Sequence, residues 1–166
     1  TITRAQVAKV AVLVGEVHTA EVEKAGNPSF ADVSPQHDAQ GDPVAYPFDY
    51  VEEAAALGLV QGSPAGDGTS VFKPAEPITR VQLAQILARM VRQLKGYGTD
   101  GAAGPDSGAG AAVYSDVPSY AVADVALVAG LGLMSGYSDQ TFKPWAGAQR
   151  AHVAVTMTRY LDLVSR

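Results

Sequence analysis

The sequence repeats itself, and a chain with a long internal period folds as a set of similar units. Leu57-Gly58-Leu59-Val60-Gln61-Gly62 returns 74 residues on as Leu131-Gly132-Leu133-Met134-Ser135-Gly136. Phe72-Lys73-Pro74 returns 70 residues on as Phe142-Lys143-Pro144. The difference of four lies in one loop, because ten steps separate Gly62 from Phe72 and six separate Gly136 from Phe142. Upstream, Phe30-Ala31-Asp32-Val33 matches Tyr114-Ser115-Asp116-Val117, with ten extra residues before Tyr46 in the first copy. Insertions confined to loops between matched segments mark structural repeats. A partial copy opens the chain, since Ile2-Thr3-Arg4-Ala5-Gln6 matches Ile78-Thr79-Arg80-Val81-Gln82 and then Ala148-Gln149-Arg150-Ala151-His152.

The pattern inside each unit predicts two short helices joined by a turn-rich segment. The second helix opens on a capping box, Thr3 with Gln6 and Thr79 with Gln82, in which side chains satisfy the first backbone N–H groups. Apolar residues follow at helical spacing: Val7, Val10, Ala11 and Val14, then Leu83, Ile86, Leu87 and Met90, then Val153, Met157, Tyr160 and Leu161. Gln149 stands where the third cap threonine would be, so that helix start is expected to be weaker by ~1 kcal/mol. First helices are expected near Pro47–Leu57 and Tyr120–Leu131, each closed by a glycine suited to a left-handed cap, Gly58 and Gly132. The chain thus divides into the back half of a first repeat (1–18), a second repeat (30–95), a glycine-rich linker (96–113) and a third repeat (114–166).

Composition narrows the function. With 12 Lys and Arg against 17 Asp and Glu, the net charge is −5, which argues against nucleic acid as a partner. The absence of cysteine excludes disulfides, thiolate metal sites and cysteine nucleophiles. No apolar run approaches the ~20 residues that span a bilayer, so membrane insertion is not expected. The first residue is Thr1 and no signal peptide is evident, which suggests a processed product or an excised fragment. His18, His37 and His152 are scattered, and His152 has no His or carboxylate one helical turn away, so no metal site and no cofactor are expected. Glu52 and Glu53 are adjacent and point ~100° apart on a helix, which rules them out as a paired acid and base. No catalytic constellation is found, and the chain reads as non-enzymatic.

The ordered elements (Phe-x-Asp-Val, an aromatic, an Ala-rich helix, Gly-Leu-Val/Met-x-Gly, Thr-Phe-Lys-Pro, then Arg opening a helix) resemble the S-layer homology family. The likeness is best over Tyr120 to Arg150, where Gly136-Tyr137-Ser138-Asp139-Gln140-Thr141-Phe142-Lys143-Pro144 follows the family signature. Tyr46 and Tyr120 stand where the family usually has tryptophan, and Gln6, Gln82 and His152 stand at its motif glutamate. The resemblance implies an all-α fold, a pseudo-threefold bundle with one helix of each repeat at the centre. One outer helix is then expected to be missing at the N-terminus. It also implies a secreted, cell-surface or wall-associated protein that anchors non-covalently to an acidic wall polysaccharide, of the kind that carries pyruvate ketals.

Candidate contacts follow, each with an alternative. Arg4, Arg80 and Arg150 sit in a first helical turn, where the helix dipole disfavours a cation by ~0.3–1 kcal/mol, so a partner is expected. That partner is either a polymer carboxylate held by the planar guanidinium or a structural salt bridge to Asp32 or Asp116. Tyr46, Tyr120 and Tyr137 are placed either to stack on sugar rings or to pack half-buried. Asp32 and Asp116 are candidates to accept sugar hydroxyls, and the family signature adds Asp139. Phe72 and Phe142 read as core, and Lys73 and Lys143 as solvated. The alternative function is a self-assembling extracellular subunit of a sheet or filament. On that reading the apolar face of the first helix, with Val7, Val10, Val12, Leu13, Val14 and Val17, is covered by a neighbouring subunit, making the protein a homo-oligomer or polymer.

Overall fold

The computed structural model describes residues 1–15, 28–93 and 114–165. The expected linker at 96–113 and Val17 lie outside the described residues. Five α-helices are present among the described residues: α1 (Arg4–Val14), α2 (Phe48–Ala56), α3 (Arg80–Gln93), α4 (Val122–Gly130) and α5 (Arg150–Val164), with a 3-10 turn at Ser119–Ala121 leading into α4. The all-α expectation needs one addition. Two antiparallel hairpins of two-residue strands occur, β1 (Gln36–His37) with β2 (Pro43–Val44) and β3 (Ser63–Pro64) with β4 (Ser70–Val71). They occupy the two insertions of the first full repeat. Short polar side chains close them: Asp38 Oδ1 accepts the Gln40 and Asp42 N–H groups at 2.9 Å, and Asp67 Oδ1 accepts the Thr69 N–H at 2.9 Å and hydroxyl at 2.6 Å.

Two compact units form, Ile2–Pro77 and Ile78–Arg166, the latter with Thr1. In the first, α1 packs against α2; in the second, α3 packs against α4. The units therefore cut across the sequence repeats, each joining the second helix of one repeat to the first half of the next, and the second unit also holds α5. Backbone chemistry explains the division, because the first N–H groups of a helix have no partner within it. Those of Arg4 and Ala5 donate to the Glu76 and Pro74 carbonyls at 2.9 and 3.1 Å, and those of Arg80 and Val81 to the Ala146 and Pro144 carbonyls at 2.9 and 3.0 Å. The turn after each Phe-Lys-Pro thus caps the helix one half-repeat earlier. Both capping boxes are made, the Thr3 and Thr79 N–H groups donating to Gln6 and Gln82 side chains at 3.1 and 3.0 Å. Gln149, at the start of α5, makes no such side-chain bond.

The first core is built on Val7, Val12, Val51, Leu59 and Phe72, and the second on Leu83, Leu87, Val128, Leu133 and Phe142. Gly58 and Gly132 end α2 and α4 with φ of 68° and 69°, as the sequence predicts. One expectation is corrected here. The apolar face of α1 is covered by α2 of the same chain: Val7 and Val12 are buried and only Leu13, 45% exposed, remains open among its large apolar residues.

Candidate functional site

Each unit holds the same clasp around its Phe-Lys-Pro turn. In the first unit Asp32 accepts the backbone N–H groups of Phe72 and Lys73 at 2.7 and 2.6 Å. Arg4 Nε–H donates to the Phe72 carbonyl at 2.6 Å and Nη2–H to the Gln61 carbonyl at 3.2 Å. In the second unit Asp116 accepts from Phe142 and Lys143, both at 2.8 Å, while Arg80 donates to the Phe142 and Ser135 carbonyls at 2.8 and 2.7 Å. The aspartate and the arginine grip opposite ends of one peptide turn and do not pair with each other. The carboxylate bracing two successive N–H groups holds Lys73 and Lys143 at φ of 60° and 54°, a region side-chain-bearing residues rarely adopt. Burial lowers the Arg4 pKa, and the nearby charges of Glu76 and Asp32 oppose that shift.

The loop Gly-Leu-x-x-Gly closes over this clasp. A Cβ on Gly62 would lie 2.6 Å from the Phe30 ring and 2.8 Å from the Val71 carbonyl. On Gly136 it would meet the Tyr114 ring and stand 2.6 Å from the Thr141 carbonyl. The second glycine of the motif is required by this close approach. The rings stack behind it, Phe30 on Phe72 at 5.2 Å and Tyr114 on Phe142 at 5.5 Å between centroids. The Gly136 N–H donates to the Tyr114 hydroxyl at 2.8 Å.

In the second unit a cleft of about 220 Å³ opens beside the clasp, between the start of α3, the Leu133–Tyr137 loop and one face of α5. Arg80, Tyr137, His152, Thr156 and Arg159 supply its polar wall, with Met134 and Val155 apolar. No carboxylate lines it. Two arginines and a histidine therefore line one concavity in a chain of net charge −5. Arg80 is 6% exposed, its guanidinium carbon 4.7 Å from the Phe142 ring centroid and 5.0 Å from that of Tyr137. Its two carbonyl bonds use two of the five N–H donors of a guanidinium. Arg159 is anchored more loosely, Nη1 lying 3.2 Å from the Gly132 carbonyl and 3.4 Å from that of Leu133. At the rim, Lys143 Nζ stands 4.2 Å from the Tyr137 ring centroid and 3.4 Å from an Asp139 carboxylate oxygen. Hydrogen bonds from the Thr141 hydroxyl and N–H hold the Asp139 carboxyl below the ordinary aspartate value, with Lys143 adding to the effect.

Of the nine candidates from sequence, the cleft brings together Arg80 and Tyr137. Asp116 lies behind it as the brace, and Asp139 is on the adjoining loop. Tyr120 is 61% exposed in the 3-10 turn and does not line the cleft. Arg150 is exposed at the start of α5 and is not among the residues that line the cleft. Arg4, Asp32 and Tyr46 belong to the first unit, where Lys9 Nζ lies 5.8 Å from the Tyr46 ring centroid and 4.9 Å from that of Tyr50. Sequence reasoning missed His152, Thr156 and Arg159. Register carried a signal for one of them, since Arg159 follows Arg150 by the same nine residues that separate Arg89 from Arg80.

Comparison with protein families finds the S-layer homology domain at residues 41–84 and 113–154, more than half of the chain. The chain belongs to the S-layer homology family. A search of curated proteins finds no match. S-layer homology domains are non-catalytic modules that anchor surface proteins to the cell wall through its secondary polymers. Both matched stretches run from before the first helix of a repeat into the second, so each includes a Phe-Lys-Pro turn, while Arg4 and Asp32 lie outside the first match and Arg80 outside the second. No helix among the described residues is long and apolar enough to cross a membrane, and none of their His, Asp and Glu side chains cluster in threes as a metal site would require.

Proposed function

We propose that this chain attaches non-covalently and without catalysis to an acidic cell-wall polysaccharide, through the cleft between α3, the Leu133–Tyr137 loop and α5. One observation carries the reading: Arg80, His152 and Arg159 converge on a cleft with no carboxylate in its wall, in an otherwise acidic chain. A guanidinium binds a carboxylate through paired, charge-assisted hydrogen bonds, and the remaining donors of Arg80 and Arg159 are available for that. A pyruvate ketal, which puts a carboxylate on a sugar ring, is the ligand chemistry that fits. Tyr137, 40% exposed, offers the ring a stacking face. In this reading Asp116 holds the turn that positions Arg80, and Asp139 with Lys143 sets the rim. Arg4 and Tyr46 would serve an equivalent site in the first unit, with the protein at the cell surface.

The test is retention on purified wall polysaccharide before and after chemical removal of its acidic substituents. Loss of retention is expected. Undiminished retention would defeat the arginine–carboxylate mechanism.

A further inference from the structure

We propose, on the reading of the cleft as the attachment site, that His152 makes attachment pH-sensitive: by gaining a proton, its imidazole adds a third positive charge to the cleft and tightens the hold on an acidic polysaccharide. His152 reaches the cleft through a local exchange between repeats. The third residue of each second helix is Gln6 in α1, Gln82 in α3 and His152 in α5. In α1 and α3 the glutamine folds back on the helix start, where its Oε1 accepts the Thr3 or Thr79 N–H at 3.1 or 3.0 Å. In α5 the cap position holds Gln149, which makes no side-chain cap bond, so no box engages His152. Its side chain is exposed, lines the cleft and makes no hydrogen bond or ion pair among the described residues.

The surrounding groups leave a charge on His152 unopposed. The cleft receives Arg80 from α3, Tyr137 from the Leu133–Tyr137 loop, and Arg159 from α5 itself, seven residues on and on the same helical face. No carboxylate lines the cleft, and none stands three or four residues from His152 along α5. Arg150, two residues earlier, is an exposed cation. Asp116 is engaged with the Phe142 and Lys143 N–H groups behind Arg80. At the rim Asp139 pairs with Lys143 at 3.4 Å, and the Thr141 hydrogen bonds that hold its carboxyl below the ordinary aspartate value keep it ionised wherever an imidazole titrates. The Thr156 hydroxyl donates to the His152 carbonyl at 2.7 Å and ties down the turn that carries the ring.

Imidazole is the side chain whose ordinary titration falls between about pH 5 and 8. A polymer carboxylate, with an ordinary value of about 3–4, is ionised throughout that range, so the proton changes the protein and leaves the ligand as it was. Protonation makes both ring nitrogens donors and puts the charge in the first turn of α5, where the helix dipole already favours an anion. The charged form therefore holds a carboxylate more tightly than the neutral form. By linkage, binding takes up protons, and affinity rises as pH falls through the imidazole range. Arg80 and Arg159 stay charged throughout and maintain a basal affinity at high pH.

The experiment titrates purified wall polysaccharide bearing pyruvate ketals into the intact chain by calorimetry at about pH 8 and about pH 5.5, and at about pH 6.5 in two buffers of different ionisation enthalpy. The parent is expected to bind ~10-fold more tightly at the lowest pH and to take up protons on binding. His152→Gln, which restores the residue found in α1 and α3, is expected to change less than ~2-fold between pH extremes and to take up no proton. Arg159→Ala is expected to weaken binding at every pH and to keep the slope. His152 is exposed, so circular dichroism of His152→Gln is expected to match the parent. Binding with no pH dependence, or with equal dependence in the parent and His152→Gln, overturns this proposal and leaves attachment through the cleft standing. Absence of binding at every pH overturns both.

Discussion

Replacing Arg80 by alanine should destabilise the second unit more than any other single arginine substitution at these helix starts. The side chain is 6% exposed and gives hydrogen bonds of 2.8 and 2.7 Å to the Phe142 and Ser135 carbonyls. Hydrogen bonds from a charged donor contribute about 1.5–3 kcal/mol each, and stacking on the Phe142 and Tyr137 rings adds ~0.5–2 kcal/mol. Part of that is offset because the variant no longer removes a guanidinium from water. The net expected loss is about 2–4 kcal/mol, a large share of the ~5–15 kcal/mol that holds a domain together. Urea unfolding followed by circular dichroism reads it as a fall in midpoint of about 1–2 M at unchanged slope. Arg80→Lys should recover little, since an ammonium cannot bridge two carbonyls as a planar fork does. Arg150→Ala, removing an exposed side chain that makes no clasp, should stay within about 0.5 kcal/mol of the parent. Equal effects at Arg80 and Arg150, or a loss below about 0.5 kcal/mol at Arg80, would refute the view that the clasp is what keeps this arginine.

The corrected cover of α1 gives a second test: Val12→Lys, at 1% exposure against α2, should cost about 3 kcal/mol or more, while Leu13→Lys at 45% exposure should cost little, both read by the same unfolding assay. Gly136→Ala should destabilise by about 1–3 kcal/mol, because the new methyl meets the Tyr114 ring and a backbone carbonyl together; a neutral effect in thermal melting would show that the loop has slack. The Asp139 carboxyl, held low first by the Thr141 side chain, should titrate by carbon NMR below the ordinary aspartate value of ~3.9 and move up toward it in Thr141→Val. Its folded pKa is depressed, so this contribution is present above the ordinary value and is lost as pH falls through the folded one.

Much of the fold was legible because it repeats. The offset of two copies located the helices, and the capping boxes at Thr3 and Thr79 and the closing glycines at 58 and 132 were found where local chemistry put them. The buried pair Phe72 and Phe142 was read as core and is core. What the sequence did not reveal was partnership across repeats. Arg4 and Arg80 were weighed against a ligand carboxylate or an aspartate, and backbone carbonyls were not considered, since a main-chain acceptor leaves no trace in residue identity. The same blindness misjudged the cover of α1. Counting helices left its apolar face open, but the half-repeat that follows α1 folds onto it. His152 and Arg159 escaped notice because a cleft is assembled from segments far apart in sequence, and neither residue forms a motif with its neighbours.

The measurement closest to the central claim is calorimetric titration of purified wall polysaccharide into the parent chain and into the double variant His152→Ala with Arg159→Ala. Both residues are exposed and line the cleft, so the variant is expected to keep its fold. A cleft that holds an acidic polymer through these groups predicts affinity falling by about 10–100-fold, with the parent's binding weakening as salt is raised. Equal affinity of parent and variant, at any salt concentration, would contradict it.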